Sequence, residues 1–157
     1  MDREQIAILA KEFAVDKILI EILLKRGYDS EKKLREFLYP TLENLTDATK
    51  YVGYCEVIER IKIAMENGES VLIYGDYDCD GVCGTSILYN YLKSKGVKVN
   101  CFLPNRHTDG YGLSIEALEK LAEEYLSDLL ITVDCGITSV EEVEYAREVL
   151  GFDVIVT

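Results

Sequence analysis

Three aspartates alternate with other residues in Asp76-Tyr77-Asp78-Cys79-Asp80-Gly81. Carboxylates packed this closely repel one another at neutral pH. Such a cluster is tolerated if it is solvated, partly protonated or neutralised by a cation. Hard oxygen donors suit Mg2+ or Mn2+. Two such ions about 3.5–4 Å apart would be bridged by carboxylates, acidify a water and neutralise charge on a scissile phosphate. A further acid, Asp134, stands in Thr132-Val133-Asp134-Cys135-Gly136. The pattern points to phosphoester hydrolysis at a two-metal site built from Asp76, Asp78, Asp80 and Asp134. A plainer reading stays open, since any one aspartate also serves as a turn former.

Three other chemistries fit less well. A calcium EF-hand loop opens with the same Asp-x-Asp-x-Asp-Gly but needs a bidentate glutamate six residues after its glycine. That position is Ile87. Gly75, Gly81 and Gly84 invite a dinucleotide-binding reading, yet neither Gly-x-Gly-x-x-Gly nor a P-loop is present, and three acids would repel a pyrophosphate. A phospho-receiver domain also clusters acids at strand ends. Its acids begin near the start of a self-contained domain, whereas strand–helix alternation here begins near residue 70.

A second stretch, Leu103–Ser114, holds two glycines, an arginine and a tyrosine. Arg106 could grip a phosphate and Tyr111 could stack on a base. The same residues suit an ordinary loop that ends in a Ser114 helix cap. His107 is the only histidine. With five cysteines at irregular spacing and no Cys-x-x-Cys, a zinc site is not supported by spacing. Free thiols in a reducing cytosol are the expectation.

The elements that must position these residues are legible in the hydrophobic pattern. Val71–Tyr74, Val97–Phe102, Leu129–Val133 and Val154–Val156 read as strands buried on both faces. Between them lie helical stripes: Ile87, Leu88, Tyr91 and Leu92; then Leu118, Leu121, Ala122 and Tyr125; then Val140, Val143, Ala146 and Leu150. Thr138 and Ser139 each precede a glutamate by three residues, a capping-box signature for the last helix. Alternating strands and helices predict an α/β fold, a parallel Rossmann-like sheet of about four strands with right-handed crossovers. Ligands in such sheets sit beyond the carboxyl ends of the strands. Asp76 follows the first strand and Asp134 the third, so their loops are expected to be neighbours.

Before the sheet, residues 1–50 read as a small helical segment, and 51–157 as the α/β domain. Ile18, Leu19, Ile22 and Leu23 form one apolar stripe, and Leu34, Phe37 and Leu38 a second. A helix over about 54–67 turns Val57, Ile58, Ile61 and Met65 inward and stops at Gly68. The chain has 157 residues, 48% of them hydrophobic, enough to build a core. No apolar run approaches the roughly 20 residues of a membrane span, and the first residues lack the layout of a signal peptide. A cytoplasmic protein with no membrane partner is expected. The net charge of -12 argues against binding nucleic acid through a basic face of its own.

Taken together, these stretches resemble the DHH phosphoesterase superfamily, and within it the RecJ-type exonucleases. Tyr74–Gly81 resembles the family's first motif, Thr132–Thr138 its second metal motif, and Pro104-Asn105-Arg106 with Asp109–Ser114 a loop of the RecJ type. Lys25-Arg26-Gly27 and Phe37–Pro40 resemble the helical lead-in. The resemblance implies that Asp78, Asp80 and Asp134 are catalytic metal ligands and that Asp76 is an extra acid beside them. It places Asn105, Arg106 and Tyr111 on the substrate side. It implies two Mn2+ or Mg2+ ions and 5′→3′ hydrolysis of single-stranded DNA in repair and recombination. Asp109 stands where a glutamate is usual. The family's Asp-His-His triplet is expected after the fourth strand, where this chain ends at Thr157. A partial domain, weakly active or inactive by itself, is therefore expected, with a sheet edge open to dimerisation. The alternatives are a phosphodiesterase of the same superfamily acting on oligoribonucleotides or cyclic dinucleotides, and an inactive binding module.

Overall fold

A computed structural model describes residues 3–106, 110 and 112–157. The chain divides into two compact units, Met1–Val52 and Gly53–Thr157.

The first unit contains α1 (Arg3–Glu12), α2 (Lys17–Lys25) and α3 (Glu31–Leu38), then two single 3-10 turns. Asp16 and Ser30 cap α2 and α3 by accepting backbone N–H groups of Ile18 and Lys33. Ala10, Phe13, Ile20, Leu23 and Leu34 are its core. Tyr39 donates its hydroxyl to the Phe13 carbonyl at 2.6 Å, tying the end of α3 to α1's exit. The expected apolar stripes need correction. Ile18, Ile22 and Phe37 are exposed, and Ile20 takes the buried place beside Leu23. Three short helices close round one small core, so each buries fewer positions than its apolar residues offer.

The second unit is a doubly wound sheet. Its elements are α4 (Tyr54–Asn67), β1 (Ser70–Gly75), α5 (Cys79–Ser94), β2 (Lys98–Phe102), α6 (Ile115–Tyr125), β3 (Leu129–Val133), α7 (Val140–Glu148) and β4 (Asp153–Val156). All pairings are parallel, in the order β2-β1-β3-β4. Apolar residues of alternate parity serve opposite faces, as the pleat requires. Leu72, Tyr74 and Leu130 pack under α6 and α7, while Val71, Ile73, Leu129 and Ile131 pack under α4 and α5. β1 and β3 are buried almost throughout. β2 is not, contrary to expectation; it is an edge strand with exposed and half-buried positions. Arg60 of α4 is half-buried between Glu69 and Asp153 and pairs with both, pinning α4 to β4.

Helix faces again depart from the apolar stripes. α4 buries Ala64 with Val57 and Ile61 packed beside it, leaving Ile58 and Met65 at the rim. α5 turns Gly81, Thr85, Leu88 and Leu92 to the sheet, while Ile87 and Tyr91 face outward at 73% and 55% exposure. Val140 is exposed on α7. Ser139 occupies the N-cap of α7 without a side-chain cap bond, so the expected capping box does not close there.

Candidate metal centre

The site forms where the winding of the sheet reverses. β1 connects through α5 to β2 on one side, and then the chain passes over to β3 on the other. That leaves β1 and β3 adjacent with their following loops diverging, the place where open α/β sheets form a crevice. Gly75 pairs with Val133 across the two strands. The next residues in each are Asp76 and Asp134. The Asp76 N–H continues the ladder by donating to the Val133 carbonyl at 3.0 Å.

Each acid is set by its backbone. Asp76 is 3% exposed, and its carboxylate accepts the N–H of Tyr77 at 2.8 Å. Asp78 is the N-cap of α5, accepting the N–H groups of Asp80 and Gly81 at 3.0 and 3.1 Å. Asp134 adopts the left-handed conformation, φ 59°, which aspartate tolerates better than most residues. The turn behind it is closed by Thr132, whose hydroxyl donates to the Cys135 carbonyl at 2.9 Å. The outcome is convergence: one carboxylate oxygen from each of Asp76, Asp78 and Asp134 lies within 4.8 Å of the others. Asp80 sits in the first turn of α5, outside that trio.

Glycines make the approach possible. A Cβ on Gly75 would stand 2.0 Å from the Thr85 hydroxyl, and one on Gly81 would stand 2.4 Å from the Asp76 carbonyl oxygen. Both positions bring the start of α5 against the end of β1.

The loop after β2 reaches the same edge. Tyr74, buried in the sheet, donates its hydroxyl to the Gly112 carbonyl at 2.9 Å and anchors the loop's far end. Ser114 caps α6 by accepting the Ala117 N–H. Arg106 lies with its guanidinium 5.6 Å from the ring centroid of Tyr77, inside the acid loop. Asn105 is exposed beside it. His107, Asp109 and Tyr111 fall outside the described residues. A cleft of about 510 Å3 adjoins Asp134 and is bordered by Gly112, Gly136, Thr138, Ser139 and Glu142. Sequence reasoning missed Tyr77; its only signal was an aromatic residue between two acids.

The electrostatics call for a cation. Among the described residues no ion pair reaches the trio. Asp134's carboxyl is pushed above the usual range, first by desolvation and then by the charges of Asp78, Asp80 and Asp76. A buried carboxylate with two more beside it and no ion-pair partner among the described residues suits a hard divalent ion, so the donor set fits Mn2+ or Mg2+. Cys135, behind Asp134, is raised to about 11, chiefly by burial, and stays a thiol.

The raised Asp134 carboxyl has a consequence for stability. A raised folded-state value favours folding below the unfolded value, near pH 4, and that contribution disappears as pH rises through the folded value. The metal-free fold therefore carries a penalty at neutral pH that Asp134→Asn removes, since asparagine also tolerates a left-handed backbone. In chelator, Asp134→Asn is expected to melt higher than wild type at pH 7, with the difference closing towards pH 4. An equal or lower midpoint at pH 7 would contradict the repulsion.

The DHH family, N-terminal domain, matches residues 70–157. The single-stranded-DNA-specific exonuclease RecJ of Bacillus subtilis is 36% identical over 156 residues, 99% of this chain and 20% of that protein. RecJ of Thermus thermophilus is 41% identical over 107 residues, covering 67% of this chain and 15% of that one. A crystal structure of exonuclease RecJ bound to manganese superposes with a TM-score of 0.59 at 40% identity, over 65% of this chain and 26% of that one. A Thermus thermophilus RecJ complex with Mn2+ gives 0.61 at 29% identity, over 99% and 21%. The chain thus spans about a fifth of the length of the relatives it matches. The family match takes in both acid loops and the whole sheet that sets them side by side, and this chain belongs to the DHH family.

Proposed function

We propose that residues 51–157 supply one wall of the metal site of a RecJ-type 5′→3′ exonuclease acting on single-stranded DNA, and that residues 1–50 form its helical lead-in. One observation carries the reading: Asp76, Asp78 and Asp134 converge at the switch point of the sheet, and among the described residues no ion pair neutralises them. Two solved RecJ structures of this fold hold manganese, and Mn2+ or Mg2+ is the ion proposed here. Bound ions would supply Lewis acidity toward a phosphodiester.

The chain's own residues divide the remaining work. Asp76, Asp78 and Asp134 would hold the ions, with Asp80 at the margin in the first turn of α5. Arg106 offers a planar, permanently charged donor to a phosphate of the strand. Its place over Tyr77 keeps the guanidinium beside the acid loop without an ion pair to it. Asn105 precedes it on the substrate side, and Tyr111 is assigned to stacking on a base. A cytoplasmic setting accords with five cysteines that are all unpaired. No described helix is long and apolar enough to cross a membrane. The outer edge of β4 has no strand partner among the described residues, and a second copy pairing along it is the proposed dimer, to be read from concentration-dependent sedimentation.

The decisive experiment follows digestion of 5′-labelled single-stranded and duplex DNA in Mn2+ by protein carrying this stretch at the relatives' full length. Metal-dependent release from single strands is expected, and sparing of duplex. Arg106→Ala should slow it about tenfold to a hundredfold, the worth of one charge-assisted contact. Equal rates on duplex, or hydrolysis restricted to dinucleotides, would overturn the substrate assignment.

A further inference from the structure

Two thiols stand beside the acid trio without a part in it. Cys79 and Cys83 are exposed and unpaired. They lie four residues apart at the start of α5, and their sulfurs face each other at 4.0 Å. The other three cysteines, Cys55, Cys101 and Cys135, come from separate elements or loops.

A disulfide does not suit this spacing. Residues at i and i+4 of a helix hold their Cβ atoms about 5–6 Å apart, whereas a disulfide draws them to about 3.5–4.5 Å. Closing the bond would unwind the turn that Asp78 caps. Chelation suits it well. A tetrahedral ion with Zn–S bonds of about 2.3 Å holds two sulfurs roughly 3.8 Å apart. The observed separation is within a few tenths of an ångström of that bite, with the helix intact. Ligand softness separates the two sites: carboxylates and water take Mg2+ or Mn2+, thiolates take softer ions.

We propose that Cys79 and Cys83 form a chelating dithiol site for a thiophilic d10 dication, Cd2+ or Zn2+, distinct from the neighbouring carboxylate trio. On binding, each thiol gives its proton to solvent and forms one sulfur–metal bond, and water fills the remaining positions. The site stands on the cysteine geometry alone and does not depend on the nuclease reading.

Cd2+ titrated into the reduced protein tests it. The ultraviolet sulfur-to-cadmium charge-transfer band should saturate at one equivalent and resist excess Mn2+. Cys79→Ser with Cys83→Ser should abolish that first equivalent, while Cys55→Ser with Cys101→Ser keeps it. Both pairs are exposed on the surface, and circular dichroism checks that each variant folds. Asp78→Asn should keep the band, which separates this site from the acid trio. A band that survives loss of Cys79 and Cys83, or that disappears with Asp78→Asn, overturns the proposal.

Discussion

Mn2+ is expected to raise the melting midpoint of the protein, and Asp78→Asn to remove that rise. An ion that binds only the folded state at a hundred times its dissociation constant stabilises by about 2.7 kcal/mol. For a chain of this size that is about 5–10 °C. Asp78 is the informative position because it does two things. Its carboxylate belongs to the converging trio, and it caps α5 by accepting two backbone N–H groups. Asparagine caps as well as aspartate, but alanine does not, at a cost of about 1 kcal/mol. Both variants should lose the Mn2+ response. Without metal they should part company: Asp78→Asn equals or exceeds wild type because one repelling charge is gone, and Asp78→Ala falls a few degrees below Asp78→Asn. Differential scanning calorimetry with and without chelator reads all of this. An undiminished Mn2+ rise in Asp78→Asn would remove Asp78 from the site.

Much of this site was legible because it lies on strands. β1 and β3 are continuous apolar runs that end abruptly in an acid, and a parallel α/β sheet has one edge where such residues gather. What the pattern could not supply was sheet order. The burial of β1 and β3 and the edge position of β2 follow from the order β2-β1-β3-β4, which no local stretch encodes. The face of α5 was misread for a different reason. Its inward positions begin with Gly81 and Thr85, and neither registers as apolar. The helix packs by closeness there, and its apolar stripe belongs partly to the outer surface. The contact between Arg106 and Tyr77 joins residues from loops after different strands, so spacing gave no sign of it. Nor did composition foretell the left-handed backbone of Asp134, although aspartate is one of few residues that adopt it readily.

Gly81→Ala brings the helix and the site into direct conflict, and its outcome turns on magnitudes. Gly81 lies inside α5 with an ordinary helical backbone, since its φ is not positive. By helix propensity alone, alanine should stabilise by about 1 kcal/mol. Packing predicts the reverse. The added Cβ would meet the Asp76 carbonyl oxygen at 2.4 Å and the Asp76 carbonyl carbon and Cα at 2.7 Å. These are main-chain atoms at the end of a buried strand, so no rotamer change relieves the overlap. Overpacking of this kind costs about 1–3 kcal/mol and occasionally more. With no soft neighbour to yield, the upper end applies and outweighs propensity. The net expectation is a midpoint lowered by several degrees. Relief must come from sliding α5 away from β1, and that carries Asp78 away from Asp76. Gly81→Ala should therefore weaken the Mn2+ response as well, although it alters no carboxylate. Gly96→Ala is the control: its Cβ meets nothing within 4 Å, so it should show only the left-handed strain of about 1–2 kcal/mol and keep the full response to metal. If Gly81→Ala melts at or above wild type with its Mn2+ response intact, the close approach of α5 to Asp76 is not what assembles the trio.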